Sequence, residues 1–549
     1  MISESEIEIK NINHLGIIAG IIDDIGIEKI INQEIGVEDG EIVTSGQIVK
    51  AIILNGLGFV SRPLYLFPQF FLDKPVEHLI GKGILAEHLN EYKIGRVMDL
   101  LYAKGLSNLF LLIALKVVEK YQINTDYSHL DSTSISVQGE YKRKEKITIK
   151  GAEPEKEVPI TITYGYSRDH RPDLKQFILD LIVSGDGDIP LFLRVANGNE
   201  SDKAIFGKIA KEYKSLVTFD TMIVGDGALY TENNLKLMGD ILWLSRVSLT
   251  IKEALQAEKQ RLIDETQIEE LTKSTVEGYS WLEVESNYGG IKQRWLIVES
   301  QKAKISDLKK IDKKIEKEKE KAKKELTKIM QKDFDSELEA TKQINQLQNT
   351  LKYHLLKNIN ISQSKVKKNQ KKKIENESEK SYQITAIIEL NSEIIESLKR
   401  KSGRFILATN QLEKSKLSSD NILIKYKQQQ APERGFGFLK DPLFFADSVF
   451  LKSPERIETM AMLMGLCLLV YSLGQRELRQ KLVKKKTGLK NQLGKLTNSP
   501  TLRWIFQCFQ GVHYIVLSGI EQIINLTKER RDILSFFPIS CQKYYILSG

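Results

Sequence analysis

Three carboxylates stand where an apolar run ends or a polar helix face could form. Asp131 lies in HLDSTSIS, among apolar and β-branched residues. A carboxylate inside a strand is costly unless it is paired, exposed or bound to a cation. Asp226 lies in MIVGDGALYT, directly after an apolar run and between two glycines. Ligand-binding residues of α/β proteins favour such carboxyl ends of strands, and glycine neighbours let a ligand approach the backbone. Glu433 lies in YKQQQAPERGFGFLKDP. From Tyr426, the next marks are Gln429, Glu433 and Lys440, at steps of three, four and seven that share one face if the segment is helical. Three carboxylates brought together repel, and one takes a proton unless a cation holds the charge. Oxygen-rich sets suit Mg²⁺ or Mn²⁺ rather than zinc. Two such ions about 3.5–4 Å apart can activate an attacking oxygen and stabilise a leaving one in phosphoryl transfer. Singly, each residue has a plainer reading, as a turn aspartate or part of a solvated helix face. The chain carries no GxxxxGK[ST] loop, HExxH or GxSxG, and its seven histidines are scattered.

The elements that would position these residues can be read from hydrophobic period and turn chemistry. Up to about residue 120 the pattern is helical. GQIVKAIILNGLGF follows the capping residues Thr44 and Ser45, and KIGRVMDLLYAKG and LSNLFLLIALKVVEKY follow SRPLYLFPQFF. This part is either a module that binds DNA ends or a helical accessory domain. The texture then changes to strands: HLDSTSISVQGEY, VPITITYGYS, QFILDLIVSG and IPLFLRVANG. A helix near Ser201-Asp202, the strand before Asp226, a helix from Thr231 and the strand ILWLSRVS complete an α/β pattern with a mixed sheet. Residues 251–420 interrupt it. YSWLEVES and QRWLIVES read as a hairpin through Gly289-Gly290. Residues 301–358 read as a charged helical hairpin standing away from the body, with DFDSE capping its second helix. KVKKNQKKKIE reads as a disordered connector, and strands return in YQITAIIEL and RFILATN.

Composition narrows the class only mildly. The 549 residues hold 81 Lys plus Arg against 72 Asp plus Glu, a net charge of +9, so the placing of positive charge matters more than its sum. The three cysteines are far apart and form no CxxC, which fits a reducing cytosol rather than a disulfide framework or zinc ribbon. The acidic, polar start MISESEIEIK does not read as a signal peptide. The longest apolar run, AMLMGLCLLVYSLG, falls short of the ~18–20 residues of a membrane span and reads as a buried helix. A cytoplasmic location with no membrane partner is therefore expected.

Taken in order, these segments resemble a DDE transposase of a bacterial insertion sequence. The group resembled has its third carboxylate in a Tyr-x2-Arg-x3-Glu-x6-Lys signature. Tyr426, Glu433 and Lys440 match those spacings, and Gln429 stands where the arginine would be. HLDSTSIS resembles the family's first-aspartate strand, and IVGDGALYTENNL its second-aspartate strand and following helix. YGYSRDHRPDLKQF, ILWLSRVS, GRFILATN and SPERIETMAMLMGLCLLVYSLG follow in family order, so the likeness spans roughly residues 125–480. It implies an α/β, ribonuclease-H-like mixed sheet core, interrupted by a large insertion and preceded by an N-terminal helical domain. The expected parts are 1–122, helical and open to a DNA-binding role; 123–250, the first part of the core; and 251–420, the insertion. The core returns over 421–480, and 481–549 is a basic C-terminal segment.

The resemblance further implies DNA cleavage and strand transfer dependent on Mg²⁺ or Mn²⁺, two ions, with Asp131, Asp226 and Glu433 as catalytic metal ligands. Water attacks first; the freed 3′-hydroxyl then attacks target DNA or, before that, the opposite strand. Implied partners are double-stranded DNA, at transposon ends and target, and a second copy of the chain in a homodimeric synaptic complex. Candidate DNA contacts are Tyr426, Gln429, Arg434 and Lys440, with Arg168, His170, Arg171 and Lys175 in a basic loop that either holds a phosphate or is a solvated turn. Two departures stand out. Gln429 lacks the charged fork of an arginine, a role that could pass to Arg434. Pro432 means that the helix either begins there, with Glu433 in its first turn, or kinks. The competing readings are a metal-dependent nuclease that does not join, and a non-catalytic DNA-binding protein.

Overall fold

The computed structural model describes residues 7–59, 66–141, 159–247, 271–365, 380–441 and 451–547. The chain forms two units. The first takes residues 1–245, 288–291 and 423–549, and the second takes 246–287 and 292–422.

The first unit opens with strand β1 (Ile7–Asn11), followed by helices α1 (Leu15–Ile25), α2 (Ile27–Ile35) and α3 (Ser45–Gly56). Thr44 caps α3 in a capping box: its hydroxyl accepts from Gln47 N–H, and Gln47 Oε1 accepts from Thr44 N–H at 2.9 Å. Helices α4 (Glu91–Lys104) and α5 (Leu106–Tyr121) close this helical part. Five strands follow: β2 (Tyr127–Val137), β3 (Lys175–Ser184), β4 (Pro190–Ala196), β5 (Met222–Gly225) and β6 (Trp243–Arg246). They are ordered β4–β3–β2–β5–β6. The pairs of β2 with β3 and β3 with β4 are antiparallel; those of β2 with β5 and β5 with β6 are parallel. Helices α6 (Asp202–Leu216) and α7 (Glu232–Met238) connect β4 to β5 and β5 to β6. Trp243 is fully buried, a core residue.

VPITITYGYS is not a strand over its described residues. Thr163 makes one isolated bridge, exchanging both backbone hydrogen bonds with Gln176, and Gly198 N–H donates to Thr161. The crossing is tight: a Cβ on Gly198 would lie 2.0 Å from the Gln176 carbonyl oxygen. The segment is therefore pinned at points rather than laddered.

In the second unit, strands β7 (Thr272–Lys273), β8 (Tyr279–Tyr288) and β9 (Ile291–Ser300) lead to helix α8 (Gln301–Met330). Gly289 and Gly290, both at positive φ, make the β8–β9 turn, whose residues 288–291 count with the first unit. Helix α9 (Glu337–Thr350) is capped by Ser336, whose hydroxyl accepts from Glu339 N–H. The helical pair is not a free-standing hairpin. Leu326, Phe334, Ala340, Ile344 and Leu347 share a core with Leu356, Ile384 and Ala386 of strands β10 (His354–Lys365) and β11 (Lys380–Leu390). All of KVKKNQKKKIE after Lys365 lies outside the described residues. Helix α10 (Ser392–Lys401) and strand β12 (Arg404–Thr409), antiparallel to β9, complete the unit.

The chain passes back to the first unit within helix α11 (Ser419–Lys427), and helix α12 (Gln430–Leu439) follows. Helix α13 (Pro454–Lys484) runs through the middle of the unit. Arg456 pairs with Asp99 of α4, Gly465 meets Leu193 of β4 and Phe110 of α5, and Gly474 meets Ile21 of α1. The apolar run expected to fall short of a span thus belongs to a 31-residue helix. That helix is long and apolar enough to cross a membrane, yet 89% of its most apolar window is buried inside the protein. Helix α14 (Leu502–Cys508), strands β13 (His513–Leu517) and β14 (Ile520–Ile524), and helix α15 (Ile539–Gln542) end the chain. Strand β13 pairs with β1, and α15 packs on α1, where Gly20 lies against Cys541. The sequence parts 1–122 and 481–549 therefore contribute to one unit.

Candidate active site

The strand order decides which side chains meet. Strands β2 and β5 run the same way, and their ladder ends at Leu130 opposite Gly225. One further step in that register sets Asp131 beside Asp226, on strands about 4.8 Å apart. The Asp226 backbone is fixed by Ser245, whose hydroxyl donates to its carbonyl at 2.6 Å. Its carboxylate accepts from Ala228 N–H at 2.8 Å, an Asx turn that starts the approach to α7. Asp131 accepts from Ser132 N–H at 2.8 Å. Beneath it, the Ser132 hydroxyl donates to the buried Asp180, which Arg194 holds at 2.7 Å while also gripping Glu200 at 2.7 and 2.9 Å. Burial pushes the Asp180 carboxyl up to about 6 despite that arginine.

Since β3 runs down and β4 up again, the β4–α6 turn reaches the same edge as Asp226. It delivers Asp202 in the first turn of α6. The β2–β3 connection also lies at this edge and delivers Arg168. The Arg168 guanidinium pairs with Asp202 and approaches Asp131 to 3.8 Å, and its backbone N–H donates to Ser134 at 3.0 Å. Burial drives the Asp131 carboxyl up to about 7, against the Ser132 N–H and Arg168; the charges of Asp226 and Asp202 push it further up. Asp202 is raised as well, first by burial and then by Asp226, against Arg168. Two carboxylates in register with a third close by offer the hard oxygen donors that suit Mg²⁺ or Mn²⁺.

Glu433 is placed differently. Helix α11 ends at Lys427 and α12 starts at Gln430, with Gln429 as its N-cap, so Pro432 and Glu433 both fall in the first turn of α12. There the missing N–H of proline costs little, because first-turn donors have no partner within the helix. A carboxylate is also favoured at that positive end. The break puts Tyr426 on α11, so it does not share the helical face of Glu433. Lys440, the C-cap of α12, donates to Thr133 at 2.9 Å and to Asp169 at 2.7 Å, beside Asp131. Arg434 instead makes a two-pronged pair at 2.8 Å with Asp188, in the β3–β4 turn at the opposite edge. Glu433 is exposed at that lower end. Among the described residues, no three metal-ligating side chains converge on one point.

The remaining basic candidates line the β2–β3 connection. Arg171 is exposed and pairs with Asp173 at 2.8 and 2.9 Å; Lys175 donates to the Glu140 carbonyl; His170 is exposed with φ +57°. The sequence reading missed Asp202, Asp169 and Asp188. Asp202 had a signal: in a strand–strand–strand–helix–strand order, the helix start falls at the edge where the first and fourth strands end. Asp169 and Asp188 sit in turns and carry no such mark.

Residues 128–470 match the family model of the transposase DDE domain, 343 of the 549 residues. The chain belongs to the transposase DDE domain family. All of Asp131, Arg168, Asp202, Asp226, Glu433 and Lys440 fall within its DDE transposase domain. Ahead of that domain, residues 7–115 match a domain of unknown function, DUF4277. No curated protein sequence matches the chain significantly. Among solved structures, a cryo-EM structure of the piggyBac transposase synaptic complex with hairpin DNA aligns over 97% of this chain and 82% of that chain, at 8% identity and a TM-score of 0.38.

Proposed function

We propose that this DDE transposase serves a bacterial insertion sequence in the cytoplasm, cleaving double-stranded DNA at the element's ends and joining the freed 3′-hydroxyls to target DNA. The reading is supported by one observation above others: within a DDE domain, Asp131 follows the last β2–β5 pair, Leu130 with Gly225, just as Asp226 follows β5, and the Asp226 charge acts on the Asp131 carboxyl. The order β4–β3–β2–β5–β6, with its antiparallel and parallel halves, supports a ribonuclease-H-like core. DDE transposases generally use divalent metals. Asp131 and Asp226 would hold Mg²⁺ or Mn²⁺, and two ions would supply activation of the attacking oxygen and stabilisation of the leaving one. Glu433 matches the signature by spacing, but it is exposed at the other edge and does not meet this pair.

The residues around this pair orient it. Ser245 and the Asx turn fix Asp226, and Ser132 ties the Asp131 strand to a buried aspartate–arginine pair. Lys440 lies at the same edge, able to exchange Asp169 for a DNA phosphate. A dimer would bring two ends together. The test is an assay of end-labelled element DNA in Mg²⁺, scored for cleaved and for joined products. The wild type should give both, and Asp226→Ala should lose both while retaining binding to the ends. Cleavage without joining would favour a nuclease, and undiminished cleavage by Asp226→Ala would overturn the site.

A further inference from the structure

Among the described residues, Arg168 is the cation that pairs with the first aspartate of the two, and its position is set by other groups. Its backbone is tied to Ser134 of β2 at 3.0 Å, and its guanidinium is shared between Asp202 and Asp131. The next residue, Asp169, takes the Lys440 ammonium at 2.7 Å. One short loop thus attaches its arginine to the carboxylate edge and its aspartate to the end of α12. All three charged side chains at Asp131, Arg168 and Asp202 are less than one-third exposed, so solvent screens them weakly.

We propose that Arg168 is a resident counter-ion of Asp131 that competes with the divalent ion for this carboxylate, and that Asp202 is a positioning residue that draws the guanidinium aside. This rests on the reading of Asp131 and Asp226 as metal ligands. The physical reason is charge balance. The carboxylates at this edge repel one another without a cation, and Arg168 neutralises them when no ion is present. An incoming ion would have to share the Asp131 carboxylate with Arg168, which faces its Oδ1 at 3.8 Å. Asp202 makes that exchange easier, because it keeps a partner for the guanidinium and spares it a return to water. Arginine suits the task, since its planar fork can bridge two carboxylates and stays charged.

The experiment measures Mn²⁺ binding to the full chain without DNA, by the loss of the free-ion electron paramagnetic resonance signal. Arg168→Gln should bind at the tightest site on the order of tenfold more strongly than wild type. Asp202→Asn should bind several-fold more weakly, because the freed guanidinium settles on Asp131. In the Arg168→Gln background the Asp202→Asn effect should vanish, which separates positioning from a direct charge effect. Arg168→Lys, which keeps the charge but loses the fork, should fall between wild type and Arg168→Gln and covers any folding defect of the glutamine variant. Unchanged or weaker binding in both Arg168 variants would overturn the competition. A persisting Asp202→Asn effect without Arg168 would overturn the positioning role. Asp226→Ala separates the two levels: if it removes Mn²⁺ binding while the Arg168 variants do not change it, only this inference fails. If it leaves binding intact, the metal reading itself fails and this inference falls with it.

Discussion

Gln429 stands where a charged fork would suit a phosphate, and the neighbouring arginine already has a partner. Arg434 commits the Nε–Nη2 edge of its guanidinium to Asp188. Arg434 is more than half exposed, so the pair contributes little to stability, less than about 1 kcal/mol. Arg434→Gln should accordingly lower the unfolding free energy by no more than that and leave the salt dependence of DNA binding unchanged. A salt slope shallower by about one would instead put Arg434 on a phosphate. The residue scale was partly legible. Asp131 and Asp226 announced themselves because a carboxylate in or just after an apolar strand demands a reason. The partners of the basic residues did not, because Asp188, Asp169 and Asp202 reach them only through the turns of the fold.

Helix α12 shows how an element can carry contradictory signals. Its pattern of Pro432, Gly435 and Gly437 argues against a helix, while the spacing from Glu433 to Lys440 argues for one. The conflict is resolved by position. Proline sits in the first turn, and each glycine meets different surroundings. A Cβ on Gly435 would lie 3.1 Å from Leu468 and 3.2 Å from Leu181, so that residue lets α12 approach α13 and β3 closely. A Cβ on Gly437 would meet nothing within 4 Å. Gly437→Ala should therefore stabilise the protein by about 0.5–1 kcal/mol through the unfolded chain's lost freedom. Gly435→Ala should gain less than Gly437→Ala, because the leucines must give way. Urea unfolding of the two variants checks the order, and an equal gain would mean that α12 does not pack as described. The start of this helix was one of two alternatives in the sequence. Only the break after Lys427 decides between them, and no local propensity marks that break.

At the scale of the molecule, the ends of the chain are interleaved, and this was the least legible feature. Strand β1 pairs with β13 across some five hundred residues, a match that hydrophobic alternation in two short strands does not encode. His14 lies inside this junction. Its Nε2 donates to the Leu57 carbonyl at 2.9 Å, its Nδ1 accepts from Gln510 at 3.0 Å, and its ring stacks on Phe506 at 4.4 Å. A proton on Nδ1 would set two donors face to face. Burial, with a smaller push from Lys74 and against the Leu57 carbonyl, lowers the ring's pKa from the ordinary 6.5 to about 4. The sign follows from which state takes up the proton. Between pH 6.5 and 4 the unfolded chain binds a proton at His14 that the folded chain refuses, so acid favours unfolding. The stability tied to a neutral His14 is in place above pH 6.5, declines as pH falls and is spent near pH 4. A difference of that size corresponds to about 3 kcal/mol. Urea unfolding at pH 7 and pH 4 should show the wild type losing about that much more than His14→Gln, which keeps a donor and an acceptor but cannot titrate. Equal losses in the two proteins would place the acid sensitivity elsewhere and remove His14 as the proton-refusing group at the junction of the chain's two ends.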